Sequence, residues 1–118
     1  MMQTIRQSEM ERVLRDLFVR YGLPEEKADL LASVHTANTL YGVNSHGIDR
    51  VPRFISYVKK GLVKIDAEAT IVESFGSIER WDGQLGSGVS NAITYTTRAV
   101  ELAQNKGMGL VALSLIHI

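Results

Sequence analysis

The sequence predicts an α+β fold: N-terminal helices followed by short strands, a long helix and a buried strand. Three observations carry that prediction. Apolar residues recur at steps of three and four through the first half of the chain, the period of amphipathic helices. Around residue 70 the period shortens to that of two strands joined by a tight turn. Helical spacing then returns. It gives way after Gly107 to an unbroken apolar run, Gly109 to Leu113, the pattern of a strand covered on both faces.

The elements follow in order. Ser8–Tyr21 places Val13, Leu14, Leu17, Phe18 and Tyr21 on one helix face, and Ser8 with Glu11 matches a capping box. Gly22 ends it, and Pro24 opens a second helix with Glu25, Glu26 and Asp29 at the positive end of its dipole. Ala28, Leu31, Ala32, His35 and Thr39 share a face of that helix, which Gly42 stops. A third helix is expected from Asp49 to Lys60, with Pro52 in its first turn and Val51, Phe54, Ile55 and Val58 as its apolar stripe. Gly61 is its C-cap. Thr70–Phe75 and Ile78–Trp81 read as strands joined by Gly76-Ser77. The long helix runs from Val89 to Asn105, with Val89, Ala92, Ile93, Thr96, Ala99, Val100 and Ala103 as its apolar side.

Composition narrows the function classes. The 118 residues include 13 basic and 13 acidic side chains, a net charge of zero that gives no electrostatic footprint for nucleic acid or an anionic membrane. Aromatic residues make up 7%, too few for a base-stacking platform. Cysteine is absent, which removes disulfides, thiolate metal sites and thiol nucleophiles. No apolar run approaches the ~20 residues of a membrane helix, and the N-terminus lacks a secretion-signal core. The expectation is one cytoplasmic domain with no metal, since Asp49, Glu79 and Asp82 form no ligand-like cluster.

The sharpest local feature is Asn44-Ser45-His46-Gly47-Ile48-Asp49-Arg50. Histidine donates or accepts a proton near neutrality. Ser45 is placed to hydrogen-bond its ring. Arg50, four residues on, shares a face with His46 if a helix starts near Gly47, and a guanidinium grips a carboxylate through two parallel hydrogen bonds. Acid plus carboxylate clamp suits reduction of a 2-keto acid. On spacing alone the commoner outcome is plainer: a capping Ser, a surface His and a solvated Arg. Arg53 reads as a surface residue, and His35 as a satisfied core residue. Gly83-Gln84-Leu85-Gly86-Ser87-Gly88 leads into a helix and so offers N–H groups to an anion. It lacks dinucleotide-fold and P-loop spacing, and reads better as a turn.

Gly42-Val43-Asn44-Ser45-His46-Gly47-Ile48-Asp49-Arg50-Val51-Pro52-Arg53-Phe54 resembles a signature of the malate/L-lactate dehydrogenase family. The resemblance continues through Gly61-Leu62-Val63, Ile78-Glu79-Arg80-Trp81-Asp82-Gly83, Ala99-Val100-Glu101-Leu102-Ala103 and Gly107 to Leu113. The Pro-Arg-Phe-Ile and Ile-Glu-Arg-Trp-Asp stretches are most similar to the family's branch of 2,3-diketo-acid reductases. The resemblance implies an NAD- or NADP-dependent oxidoreductase of a larger, non-Rossmann fold, acting on a small keto or hydroxy acid. It implies His46 as proton donor, Ser45 as its relay partner and Arg50 as the substrate-carboxylate ligand. It also implies a homodimer for the full-length protein. Malate, lactate or ureidoglycolate dehydrogenases of the same family are the alternative activities.

Residues 1–113 are thus expected to be the N-terminal portion of such an enzyme, with the cofactor-binding segments beyond residue 118. Leu113-Ser114-Leu115-Ile116-His117-Ile118 carries no charge and no stop signal. A sequencing-library adapter can encode these six residues, so 114–118 is expected to be a non-native tail, and His117 is given no role. A small, non-catalytic helical binding module is the competing reading. A reading frame continuing past Leu113 with the family's Asn-His motif separates the two.

Overall fold

The computed structural model describes residues 2–114, and the chain divides into two compact units, 1–61 and 62–118. The first unit is helical. It contains α1 (Gln7–Arg20), α2 (Glu25–Leu40), two short 3-10 turns (Asn44–His46 and Ile48–Arg50) and α3 (Val51–Lys59). Its core is Leu14 and Phe18 of α1, Leu23 of the connection, Ala28, Leu31 and Ala32 of α2, and Val51 and Ile55 of α3. Phe18 is fully buried and meets Phe54 edge to face at 5.8 Å, a favoured aromatic geometry.

The helix stops expected from sequence are present: Gly22, Gly42, Gly61 and Gly107 follow helices with φ between 71° and 95°. The expected capping box is not formed. Helix α1 starts earlier, with Arg6 at its N-cap and no side-chain cap bond, so Ser8 lies inside the helix. Val13, expected on the apolar face, is 46% exposed, because Leu14 and Phe18 already occupy the contact with α2.

The second unit is a β-α-β arrangement preceded by a hairpin strand. Strands β1 (Thr70–Phe75), β2 (Ile78–Asp82) and β3 (Leu110–Ser114) form a sheet in that order. Strand β1 pairs antiparallel with β2 across the Gly76-Ser77 turn, with an irregularity between Ile71 and Glu73. Strand β3 pairs parallel with β2, in register from Ile78↔Leu110 to Asp82↔Ser114. A parallel pair needs a long crossover, and α4 (Gly88–Lys106) supplies it.

Two expectations need correction here. Strand β3 forms where expected but is not buried: Leu110 is half exposed, and Val111, Leu113 and Ser114 are half buried. Among the described residues it has a neighbour on one edge only. The buried side of α4 also differs. It is Asn91, Tyr95 and Leu102, while Ile93 and Val100 are about half exposed. The apolar count pointed to one face. Three polar or amphipathic side chains select another, because each has a partner in or beside the sheet. Asn91 Nδ2 donates to the Gly83 carbonyl at 3.1 Å. Tyr95 packs edge to face on Trp81 at 5.7 Å. Arg98 reaches Glu79.

Glu79 is the electrostatic centre of this unit. Only 2% exposed, it accepts from Arg98 Nη2 at 2.7 Å, from Arg98 Nε at 2.9 Å and from Trp81 Nε1 at 2.9 Å. The Arg98 hydrogen bonds, followed by that of Trp81, outweigh burial and hold its carboxyl at about 2, below the ordinary 4.5. A depressed carboxylate pKa adds stability above the unfolded value and loses it as pH falls toward the folded one. Chemical denaturation from pH 7 downward is therefore expected to show stability falling between about 4.5 and about 2. Glu73 and Asp82, also held low by hydrogen bonds, add to that slope. Glu79→Gln should cost roughly 2–3 kcal/mol at pH 7 and flatten the acid slope. An identical slope in both proteins would remove Glu79 as its source.

Candidate active site

The Ser45-His46-Gly47 turn is bolted to the last two turns of α2. The His46 carbonyl accepts two hydrogen bonds, from His35 Nδ1 and from Asn38 Nδ2, each at 3.0 Å. Thr39 Oγ1 accepts the Ile48 N–H at 2.8 Å. The Asn38 carbonyl takes the Val43 N–H at 2.8 Å. One helix face, with residues at steps of three and four, thus grips both sides of the turn.

That grip explains Gly47. Its φ is −92°, ordinary for any residue, so left-handed backbone is not the reason for glycine. The reason is proximity: a Cβ there would strike Thr39 Oγ1 and stand 3.0 Å from the Thr39 backbone nitrogen.

Against this frame the functional side chains take their places. Ser45 Oγ lies 2.9 Å from His46 Nδ1, the contact expected from sequence. His46 is exposed, and Nε2 makes no hydrogen bond to any described residue. Arg50 is half buried, and its Nε donates to the Ser45 carbonyl at 3.1 Å. Its two terminal nitrogens make no hydrogen bond to a described residue, which leaves the end of the guanidinium for a carboxylate. The expected route to this placement was different. No helix begins at Gly47; the glycine separates two 3-10 turns, and Arg50 is brought back by the Ser45 backbone rather than by helical spacing. Ser45 caps nothing with its side chain.

His35 is 6% exposed and satisfied, as expected of a core histidine. Burial, first of all, lowers its pKa, outweighing the backbone hydrogen bonds at His46 and Gly47 that raise it, and the Arg50 charge pushes it lower as well. Its partnership with His46 was missed, as were those of Asn38 and Thr39. The available signal was their i, i+3, i+4 spacing on α2.

The remaining candidates fall away. Arg53 is exposed on α3. No group of three metal-ligating side chains occurs among the described residues. The Gly83–Gly88 loop is a turn, with Gln84 and Leu85 at φ 56° and 59°. Three of its N–H groups are committed: Gly83 to Ser114 Oγ at 3.2 Å, Gln84 to Asp82 Oδ1 at 2.9 Å, Gly86 to the Gly83 carbonyl at 2.8 Å. Those bonds close the loop as a turn and turn these three donors away from any anion. His117 and the tail from residue 115 lie outside the described residues.

The first unit thus holds a Ser-His pair and an arginine on one turn fixed by α2. The chain belongs to the malate/L-lactate dehydrogenase family, whose sequence model it matches over residues 5–117. It is 38% identical over 105 residues to a 2,3-diketo-L-gulonate reductase of Escherichia coli, an alignment covering 89% of this chain and 32% of that protein. The chain thus spans about a third of the length of the curated relatives it matches. Its structure is similar to the sulfolactate dehydrogenase of Methanocaldococcus jannaschii, with a TM-score of 0.88 and 30% identity over 94% of this chain and 32% of that one. It is also similar to the malate dehydrogenase of Entamoeba histolytica, with a TM-score of 0.89 and 26% identity over 98% of this chain and 32% of that one.

Gly47→Ala is expected to pry Thr39 from the turn and destabilise the first unit by about 1–3 kcal/mol, the usual range for overpacking. Thermal melting checks it. An unchanged midpoint, with the Ile48 amide still protected from exchange, would show that the turn has room.

Proposed function

We propose that this chain is the N-terminal portion of an NAD- or NADP-dependent reductase of 2-keto or 2,3-diketo acids. The observation that carries the reading is the Ser45–His46 hydrogen bond, with Nε2 of an exposed ring left over and Arg50 tied to the same turn. The relatives' names support the substrate class: a 2,3-diketo-gulonate reductase, a sulfolactate dehydrogenase and a malate dehydrogenase.

Reduction of a keto carbon turns its oxygen into an alkoxide, which needs a proton as it forms. As the imidazolium, His46 donates from Nδ1 to the Ser45 hydroxyl oxygen and carries a second proton on Nε2, at the open side of the ring, so that giving it up leaves a neutral imidazole. His46 gives that proton to the alkoxide. Arg50 holds the substrate carboxylate with its terminal nitrogens, and so fixes the keto carbon relative to the ring. Ser45 holds the ring in orientation through its contact with Nδ1. We assign the dinucleotide to the part of the family's length that this chain does not match, and we take the full-length protein to be a cytoplasmic homodimer. Malate, lactate and ureidoglycolate dehydrogenation are the alternative activities within the same reading. No helix among the described residues is long and apolar enough to cross a membrane.

In a full-length enzyme carrying this segment, His46→Ala should lower turnover by about 10²–10⁴-fold with dinucleotide affinity nearly unchanged. Arg50→Ala should instead act first on KM for the keto acid. Steady-state kinetics with cofactor titrated separately decide the matter. Turnover of His46→Ala within about threefold of the parent, far below the general-acid range, would assign the proton to another group.

The 118-residue chain by itself should oxidise no NADH or NADPH with 2,3-diketogulonate, pyruvate or oxaloacetate. Measurable oxidation by purified chain would overturn the assignment of the cofactor site to the rest of the protein.

A further inference from the structure

We propose that His35 is a positioning residue: as the Nδ1–H tautomer it donates to the His46 carbonyl and, with Asn38, locks the peptide plane that aims the His46 ring. The inference deepens the reading of His46 as proton donor and rests on it.

The chemistry of the acceptor fixes the tautomer. A carbonyl oxygen only accepts, so the contact at 3.0 Å requires the proton of His35 on Nδ1. His35 is buried, with the Phe18 ring tilted against it at 6.2 Å, and burial favours the neutral form. A neutral imidazole has one N–H, and the contact with the His46 carbonyl puts it on Nδ1.

Two donors do what one does not. A single hydrogen bond leaves a peptide free to rock about the bond axis. Donors from His35 and Asn38, one helical turn apart on α2, occupy both lone pairs of the oxygen and fix the plane. The peptide plane sets the Cα–Cβ direction of His46, and Ser45 Oγ then sets the ring rotation. The ring is thus held at its base through α2 and at Nδ1 through Ser45. Packing against Phe18 alone would not call for histidine at position 35, since leucine fills a similar volume. The hydrogen bond to the carbonyl is what histidine adds.

The test reads the ring nitrogens of this chain by long-range ¹H–¹⁵N correlation. In the parent, His35 is expected as a neutral Nδ1–H tautomer at pH 7, and this measurement needs no variant. His35→Leu removes the donor and keeps the apolar filling; the His46 ring signals should broaden or average. His35→Asn returns an N–H donor near the Nδ1 position and should restore them. In the full-length enzyme His35→Leu should lower kcat by roughly 10- to 100-fold, as misplacement of a catalytic group does, with KM for the keto acid little changed. His35 observed as the Nε2–H tautomer would overturn the proposal. So would His46 signals that ignore His35→Leu while its melting point falls, which is a structural role only. An Asn variant no better than the Leu variant would also overturn it. Parental turnover in His46→Ala would sink the acid role and this proposal with it. The ring signals report separately on whether His35 holds the turn.

Discussion

The carbonyl oxygen of His46 holds the first unit's chemistry in place. A buried or half-buried carbonyl must find donors, and α2 presents two. Once that oxygen is fixed, Gly47 is pressed against Thr39, the Ile48 N–H falls on the Thr39 hydroxyl, and the chain leaves in the direction of α3. The side chains that face solvent in this turn owe their positions to backbone groups that do not. Ser45 contributes twice, through its hydroxyl to the His46 ring and through its carbonyl to Arg50. The His46 ring and the Arg50 guanidinium are therefore spaced by one residue's backbone and side chain rather than by the pitch of a helix.

The second unit uses a different device, a charge taken out of water. A carboxylate as buried as Glu79 is tolerated only with a full set of donors. Two nitrogens of Arg98 and the indole of Trp81 provide them, and Glu101 meets the other side of the guanidinium at 3.2 Å. This network orients α4 on the sheet. It forces Asn91, Tyr95 and Arg98 inward and leaves Ile93 and Val100 outside, against the apolar count. The tight seat of Gly83 belongs to the same packing: a Cβ there would stand 2.6 Å from the Ser114 carbonyl and 2.9 Å from Asn91 Nδ2.

What the sequence revealed followed distance along the chain. Helices and their glycine stops were legible because periodicity and positive φ are local properties. The α+β order and the strand pair around Gly76-Ser77 were legible for the same reason. The Ser45–His46 contact joins neighbours and could be foreseen. Arg50 was placed correctly for an incorrect reason, since a helix start at Gly47 was assumed where close approach to Thr39 enforces a break. His35 was recognised as a satisfied residue, but its partner lies eleven positions away across a turn whose path was unknown. Glu79 and Arg98, nineteen apart on different elements, carried no pattern at all. The capping box failed because sequence shows a matching pair of residues, not where the first helical turn begins. Strand β3 was read as buried from its composition, which reports what a strand can tolerate rather than what surrounds it.

The bonds that build the Ser45–Arg50 turn all span short stretches: one residue for Ser45 to His46, five for Arg50 to Ser45, eight, nine and eleven for the links to α2. The corner that joins β2 to α4 closes over thirty-one and thirty-two residues, Gly83 and Asp82 to Ser114. Loop-closure entropy rises with the logarithm of the enclosed length, and contacts of low sequence separation form early and cheaply. The Ser45–Arg50 turn is thus a local product of α2 and the eight residues after Gly42. Its closure costs less chain entropy than that of the sheet corner, and among the described residues all of these bonds lie within the first unit.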